Sequence, residues 1–367
     1  MKHSIYTQED FHRNPLMLYY EVTQACDLVC KHCRASAQEN PGPMELSTED
    51  SKKLIDQVAT FPRFPTLVIT GGDPLKRADL FDLISHAVSN DLQVALTPSA
   101  TPLATFEAFQ QAKAAGIHAF GISLDGADAK THDAFRGFDG SFDKTLEMLA
   151  NARQLRLPVQ VNTSVTRRNV HQIDEIAELL STQDIAMWSV FFLVPVGRGT
   201  EEERILPVEY EKVFSRLWHN AQYRPYAIKT TEAPHYRRYV LRQGGDPLMM
   251  PKNAPGGIGR PKHRAPLGVT DGRGIMFVSH IGEIYPAGFL PLVCGHVPND
   301  SIVDIYQNHP TFRALQDPNQ FKGICGACEY RFVCGGSRAR AYAVYGDPLG
   351  PEPDCVYTPG QDPMPKF

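Results

Sequence analysis

Long apolar runs are missing from this chain. No stretch of about 18 consecutive apolar residues occurs, so no segment reads as a membrane-spanning helix. Met1 to Asn14 is polar and lacks the apolar stretch of an export signal, which makes the cytoplasm the expected location. Charge of one sign is not in excess: 37 Lys and Arg against 41 Asp and Glu leave a net charge of −4. That balance argues against a generally basic surface for nucleic acid. No internal repeat, heptad pattern or homopolymer tract appears, which excludes a solenoid or a coiled coil. Cysteine is absent from 34 to 293, yet the chain has 8: three at 26, 30 and 33, and five from 294 to 355. Where thiols stay reduced, two such clusters read as two metal sites and not as disulfides.

What is present reads as an alternation of strands and helices. The 367 residues exceed one average domain. Short apolar runs at 16–22, 66–70, 92–97, 118–124, 158–165 and 187–194 are expected strands. Expected helices lie between them at 47–60, 78–90, 103–115, 142–153 and 172–180, with another near 207–222. Six strands alternating with helices imply an α/β fold with a parallel sheet and right-handed crossovers. Tyr226 to Ala265, rich in Pro and Gly over 244–259, reads as a connector or lid and not as another repeat. Gly274 to Tyr285 has the pattern of a small hairpin turning near Gly282.

Cys26, Cys30 and Cys33 form C-x3-C-x2-C directly after the first strand. Three thiolates are one short of closing a four-iron cluster and leave one iron open to another ligand. A zinc site or three ordinary buried thiols are the competing readings; structural zinc wants four ligands, and the nearby candidate, His32, lies between two of the cysteines. Gly71-Gly72-Asp73-Pro74 follows the second strand, at the end where parallel α/β barrels bind ligands. Two glycines there allow close backbone approach to a charged group.

Together these segments resemble the radical S-adenosylmethionine (SAM) superfamily. The resemblance implies a partial parallel (β/α)6 barrel followed by a small loop-rich auxiliary Fe–S domain. It implies that Cys26, Cys30 and Cys33 bind a [4Fe–4S] cluster whose fourth iron is chelated by SAM, and that Gly71, Gly72, Asp73 and Pro74 line SAM. Ile122-Ser123-Leu124-Asp125-Gly126 and His132-Asp133-Ala134-Phe135-Arg136-Gly137 resemble the SLDG and HDxxRG stretches of members with auxiliary clusters. The implied roles are Ser123 and Arg136 at the SAM carboxylate, Asn162 at the ribose and the backbone near Val194 at the adenine, with His32 in place of a common aromatic residue.

Cys325, Cys328, Cys334 and Cys355 offer four further thiolates, which on spacing alone suit either a structural zinc or a cluster. They are similar to the outer half of SPASM and twitch extensions, which implies one auxiliary [4Fe–4S] cluster. A complete SPASM domain would place cysteines where this chain has Arg338 and, after Gly282, Ala287, so an inner cluster is not expected. Cys294 is left over, as a buried thiol or an extra ligand.

The expected segments are 1–15 (N-terminal), 16–215 (radical SAM barrel), 216–270 (connector or lid) and 271–367 (auxiliary domain). The combination of motifs is similar to the alternative-haem-biosynthesis branch, implying radical deacetylation or decarboxylation of a tetrapyrrole. A peptide-maturing enzyme of the same architecture is an alternative, and a zinc protein or zinc hydrolase is one of another class. Partners implied are a low-potential electron donor such as flavodoxin or ferredoxin and a small-molecule or peptide substrate. Glu232 and His235 in the connector are candidates to touch substrate, beside the reading as ordinary surface residues. No general base is identifiable.

Overall fold

Apolar runs too short for helices, punctuated by capped amphipathic segments, set a strand–helix rhythm. In the computed structural model, which describes residues 6–249 and 266–363, β1 (Met17–Glu21), α1 (Thr48–Val58), β2 (Thr66–Thr70), α2 (Leu80–Ser89), β3 (Val94–Leu96) and α3 (Phe106–Ala115) follow in turn. Then come β4 (Ala119–Ser123), α4 (Ala129–Arg136), α5 (Ser141–Gln154), β5 (Val159–Val165), α6 (Ile173–Leu180), β6 (Met187–Phe192) and α7 (Pro207–Tyr223). Ser47 starts α1 by accepting from the Asp50 amide, and Gly116, at φ +101°, ends α3. α1 buries Leu54, Ile55 and Val58 towards the sheet.

β1 to β6 and a further strand, β7 (Ala227–Thr231), lie side by side in chain order, and each neighbouring pair is parallel. Their C-terminal ends therefore share one rim, which is where the loops of a parallel α/β sheet build a site. With β8 (Ile275–Val278), β9 (Glu283–Tyr285) and β10 (Gly295–His296), the sheet has ten strands among the described residues, in the order β10-β9-β8-β1-β2-β3-β4-β5-β6-β7, an open barrel with β7 and β10 at its edges.

Two features differ from the sequence reading. β7 (Ala227–Thr231) pairs with β6, and α8 (His235–Arg242) follows, so the expected connector begins with a seventh βα repeat. Lys229 and two threonines interrupt the apolar pattern of β7, and α8 is only eight residues long with arginine at 237, 238 and 242. The stretch 250–265 of that connector, with residues 1–5 and 364–367, lies outside the described residues. The expected hairpin exists as β8 (Ile275–Val278) and β9 (Glu283–Tyr285), but β8 also pairs in parallel with β1, Met17 opposite Ile275. The C-terminal segment thus starts inside the barrel sheet before running through β10 (Gly295–His296), α9 (Ile302–Asn308), α10 (Pro310–Gln316), α11 (Gly323–Ala327) and α12 (Arg338–Tyr345).

The core between sheet and helices is aromatic at its middle. Phe109 stacks on Phe120 with centroids 4.2 Å apart, and the fully buried Trp188 donates its indole N–H to Thr163 Oγ1 at 2.8 Å. Removing that indole leaves a cavity and takes one partner from the Thr163 hydroxyl, which keeps its bond to Leu124 O at 2.6 Å. Trp188→Ala should lower stability by about 3–5 kcal/mol, read as an earlier urea midpoint; an unchanged midpoint would contradict this packing.

Candidate active site at the strand ends

The loop from 22 to 47 carries Cys26, Cys30 and Cys33 with little regular structure, so its backbone needs partners elsewhere. The Cys26 amide donates to Gln38 O at 2.7 Å, Gly72 N to Thr23 O at 2.8 Å and Asp73 N to Ala25 O at 2.6 Å. The glycine turn after β2 is therefore bonded directly to the cysteine loop. A Cβ on Gly71 would stand 2.6 Å from Thr23 O, and one on Gly72 2.6 Å from Gln24 O, so only glycine permits this approach. Arg198 staples the loop from the other side, its Nε donating to Cys30 O and Nη1 to Ala37 O, both at 2.9 Å. Gly197, at φ +63°, lets the β6 loop lie against the Cys33 carbonyl.

These loops enclose a cavity of ≈ 270 Å³ bounded by Cys26, Cys30, Cys33, Gly71, Gly72 and strand-end side chains. Ser123, Arg136 and Asn162 line it, as does His32. Three expected positions do not. Asp73 is fully buried and turned away, accepting from Leu75 N, Ser99 N (3.3 Å) and Thr101 Oγ1 (2.6 Å). It braces the turn, with Pro74 beside it. The Val194 side chain is buried with Leu290, Leu315 and Ala339, off the lining, where the expectation concerned its backbone; Phe191 supplies the β6 side chain on the cavity.

Arg136 is pre-positioned. Its Nη2 pairs with the buried Asp125 carboxylate at 2.5 Å, and its Nη1 lies 3.7 Å from Cys30 Sγ. Asp125 is anchored in turn by the Ser164 amide at 2.6 Å. The His32 ring lies on Phe135, 4.4 Å between centroids, and burial holds its pKa well below the usual value, so the imidazole is neutral. Burial also pushes the Cys26 thiol up to about 11 and raises Cys30, so binding a metal group must displace their protons.

The donor set fits the implied cluster. Three thiols open on one cavity, with backbone amides of Leu28 and Ala37 aimed at Cys26 and Cys33 sulfur at 3.4 Å, as Fe–S ligands commonly have. Four aromatic side chains, Tyr19, Phe191, Phe277 and Phe289, also line the cavity. Glu232 and Asp271, both buried, line it as well. Glu232 follows β7 at φ +57° and accepts from Ser337 Oγ; Asp271 accepts from Ala339 N at 2.9 Å. Burial and mutual repulsion raise Glu232 well above the carboxylate range, and burial raises Asp271. Sequence reading reached Glu232 but had no signal for Asp271 or for the Arg198 staple.

A second pocket is bounded by Cys325, Cys328, Cys334 and Cys355. The Glu352 amide points at Cys325 sulfur (3.2 Å), Tyr330 N at Cys328 and Gly336 N at Cys334 (both 3.4 Å), and Arg338 Nη2 lies 3.7 Å from Cys325. Burial raises the four thiols. Four thiols with amide and guanidinium donors suit a thiolate-ligated metal group. His235 also lines this pocket, away from the first cavity. Cys294 borders neither pocket; it packs in the main core with its thiol 3.3 Å from Leu292 O. Among the described residues no group of three or more His, Cys, Asp or Glu is gathered tightly enough for a single ion. No helix among them is long and apolar enough to cross a membrane.

A family model described as the radical SAM superfamily matches residues 20–180. An AdoMet-dependent heme synthase of Methanosarcina barkeri is 37% identical over 95% of this chain and 98% of its own length. A mycofactocin maturase of Mycobacterium tuberculosis is 30% identical, over 95% of this chain and 85% of its own. The crystal structure of Streptococcus suis SuiB bound to S-adenosylmethionine superposes with a TM-score of 0.69 at 15% identity, covering 94% of this chain and 78% of that one. That likeness concerns the fold.

The Glu232–Asp271 pair generates a pH signature. Acids raised in the folded state contribute stability that is fully present below the unfolded value, 4.5 for Glu, and lost as pH rises through the folded value. Glu232→Gln removes one such group. The melting temperature of the variant relative to wild type should rise between pH 5 and pH 8, by about 2 °C or more; a constant difference would contradict the shared-proton pair.

Proposed function

Given that the chain belongs to the radical SAM superfamily, in the branch that includes the AdoMet-dependent heme synthases, we propose that it forms haem from a tetrapyrrole by oxidative decarboxylation. Cys26, Cys30 and Cys33 would hold a [4Fe–4S] cluster, which when bound would supply the electron that splits SAM into methionine and a 5′-deoxyadenosyl radical. The backbone of Gly71 and Gly72 would receive the SAM amino group, and Ser123, Asn162 and the Asp125-braced Arg136 its other polar groups. Arg136 has one guanidinium edge committed to Asp125, so it offers SAM the remaining N–H groups.

What carries the reading is the cavity itself. Its lining brings the three thiols together with four aromatic side chains, the kind of surface on which a flat conjugated ring stacks. On a propionate side chain the chemistry balances as one hydrogen atom removed, one CO2 released and one electron passed on, leaving a vinyl group. Cys325, Cys328, Cys334 and Cys355 would hold the auxiliary [4Fe–4S] cluster that receives that electron. Identity to the heme synthase, 37%, exceeds that to the mycofactocin maturase, 30%, which favours the tetrapyrrole over a peptide. A flavodoxin or ferredoxin in the cytoplasm would supply the low-potential electron.

The test is anaerobic incubation of the iron-loaded protein with SAM, a strong reductant and iron-coproporphyrin, followed by mass spectrometry. The expected product has lost CO2 and two hydrogens per converted side chain, with matching 5′-deoxyadenosine. Loss of acetyl groups from a sirohaem-type substrate alone, or modification of a peptide alone, would overturn the assignment.

A further inference from the structure

His235 opens α8 and lies on the barrel side of the C-terminal cysteine pocket, which it lines together with Cys325, Cys328, Cys334 and Cys355. The residue is 1% exposed. Its ring is stacked on Tyr210, 5.3 Å between centroids, and meets Phe214 edge-on at 4.8 Å. Those contacts fix the ring plane yet satisfy neither nitrogen: Nδ1 and Nε2 both lack a hydrogen-bond partner among the described residues. A buried imidazole always carries at least one N–H, and leaving it unpaired is costly. If packing were the whole role, a phenyl ring would fill the space without that cost. The unmet donor borders a pocket of thiols whose sulfurs already attract amides from Tyr330, Gly336 and Glu352 and the Arg338 guanidinium.

We propose that His235 donates a hydrogen bond to the iron–sulfur cluster held by Cys325, Cys328, Cys334 and Cys355, and so raises that cluster's affinity for electrons. The inference rests on the two-cluster reading given above. A hydrogen bond to a cluster sulfur stabilises the reduced, more negative state, which moves the reduction potential upwards. The other sulfur donors described come from the cysteine segment itself, whereas His235 belongs to the barrel. A barrel side chain therefore sets the potential of the electron acceptor proposed for the reaction, from a helix that follows the cavity residue Glu232 by three positions.

The experiment uses the anaerobically reconstituted full chain. Iron is counted first, and about eight irons per chain establish both clusters. Redox titration followed by electron paramagnetic resonance is then compared among wild type, His235→Phe and His235→Gln. His235→Phe should lower the midpoint of the C-terminal cluster, and His235→Gln, which keeps an N–H donor, should restore part of it. The N-terminal cluster serves as the internal control and should keep its midpoint. Should either variant lose iron, wild type labelled with 15N-histidine decides: the pulsed-resonance spectrum of the C-terminal cluster should show the nitrogen coupling change from 14N to 15N. Eight irons with equal midpoints, or with no histidine coupling in the labelled protein, overturn the inference alone. Four irons remove the two-cluster reading and this inference with it.

Discussion

A loop that carries three thiols into a water-poor cavity must have its backbone groups paired by something other than a helix or a ladder. Here the pairing is done by neighbouring strand ends. The β2 turn bonds to Thr23 and Ala25, Gln38 closes on Cys26, and Arg198 from the β6 loop takes the Cys30 and Ala37 carbonyls. The partners from the β2 turn and the β6 loop stand at that height because β1, β2 and β6 are parallel members of one sheet, while Gln38 belongs to the cysteine loop itself. Sheet topology and thiol geometry are thus one constraint. A Cβ at Gly71 or Gly72 would separate them.

The two cysteine pockets are joined by a buried polar wall and not by apolar packing alone. Glu232 reaches Ser337; Ser337 N donates to Glu352 at 2.7 Å; and Glu352 pairs with the fully buried Arg340 at 3.0 Å while its own amide faces Cys325. Arg340 also donates to the Phe192 and Leu193 carbonyls at the end of β6. Buried charges of this kind are costly unless every member is paired. Their mutual satisfaction locks the C-terminal segment onto the barrel in one register, beside the cavity in which both act.

Most of the barrel was legible because its strands are continuous apolar runs and its helices carry caps such as Ser47 and Thr105. The thiol loops were legible because spacing is chemistry in cysteine. Strand β7 was hidden, since Lys229 and its threonines line the open edge of the sheet, where an apolar run is not required. Asp73 sits in the expected motif but its side chain braces the turn from behind, a distinction of side-chain direction that one sequence does not carry. His235 read as a candidate for substrate and stands instead beside the second cysteine pocket, because α8 turns it away from Glu232.

The central claim is that the Cys26, Cys30 and Cys33 site holds a cluster with one iron left for SAM. Formation of 5′-deoxyadenosine from SAM by the anaerobic, reduced protein tests it most directly. Wild type should form the nucleoside and Cys33→Ala should form none. Equal amounts from both proteins, or intact SAM with the iron-loaded wild type, would contradict the account.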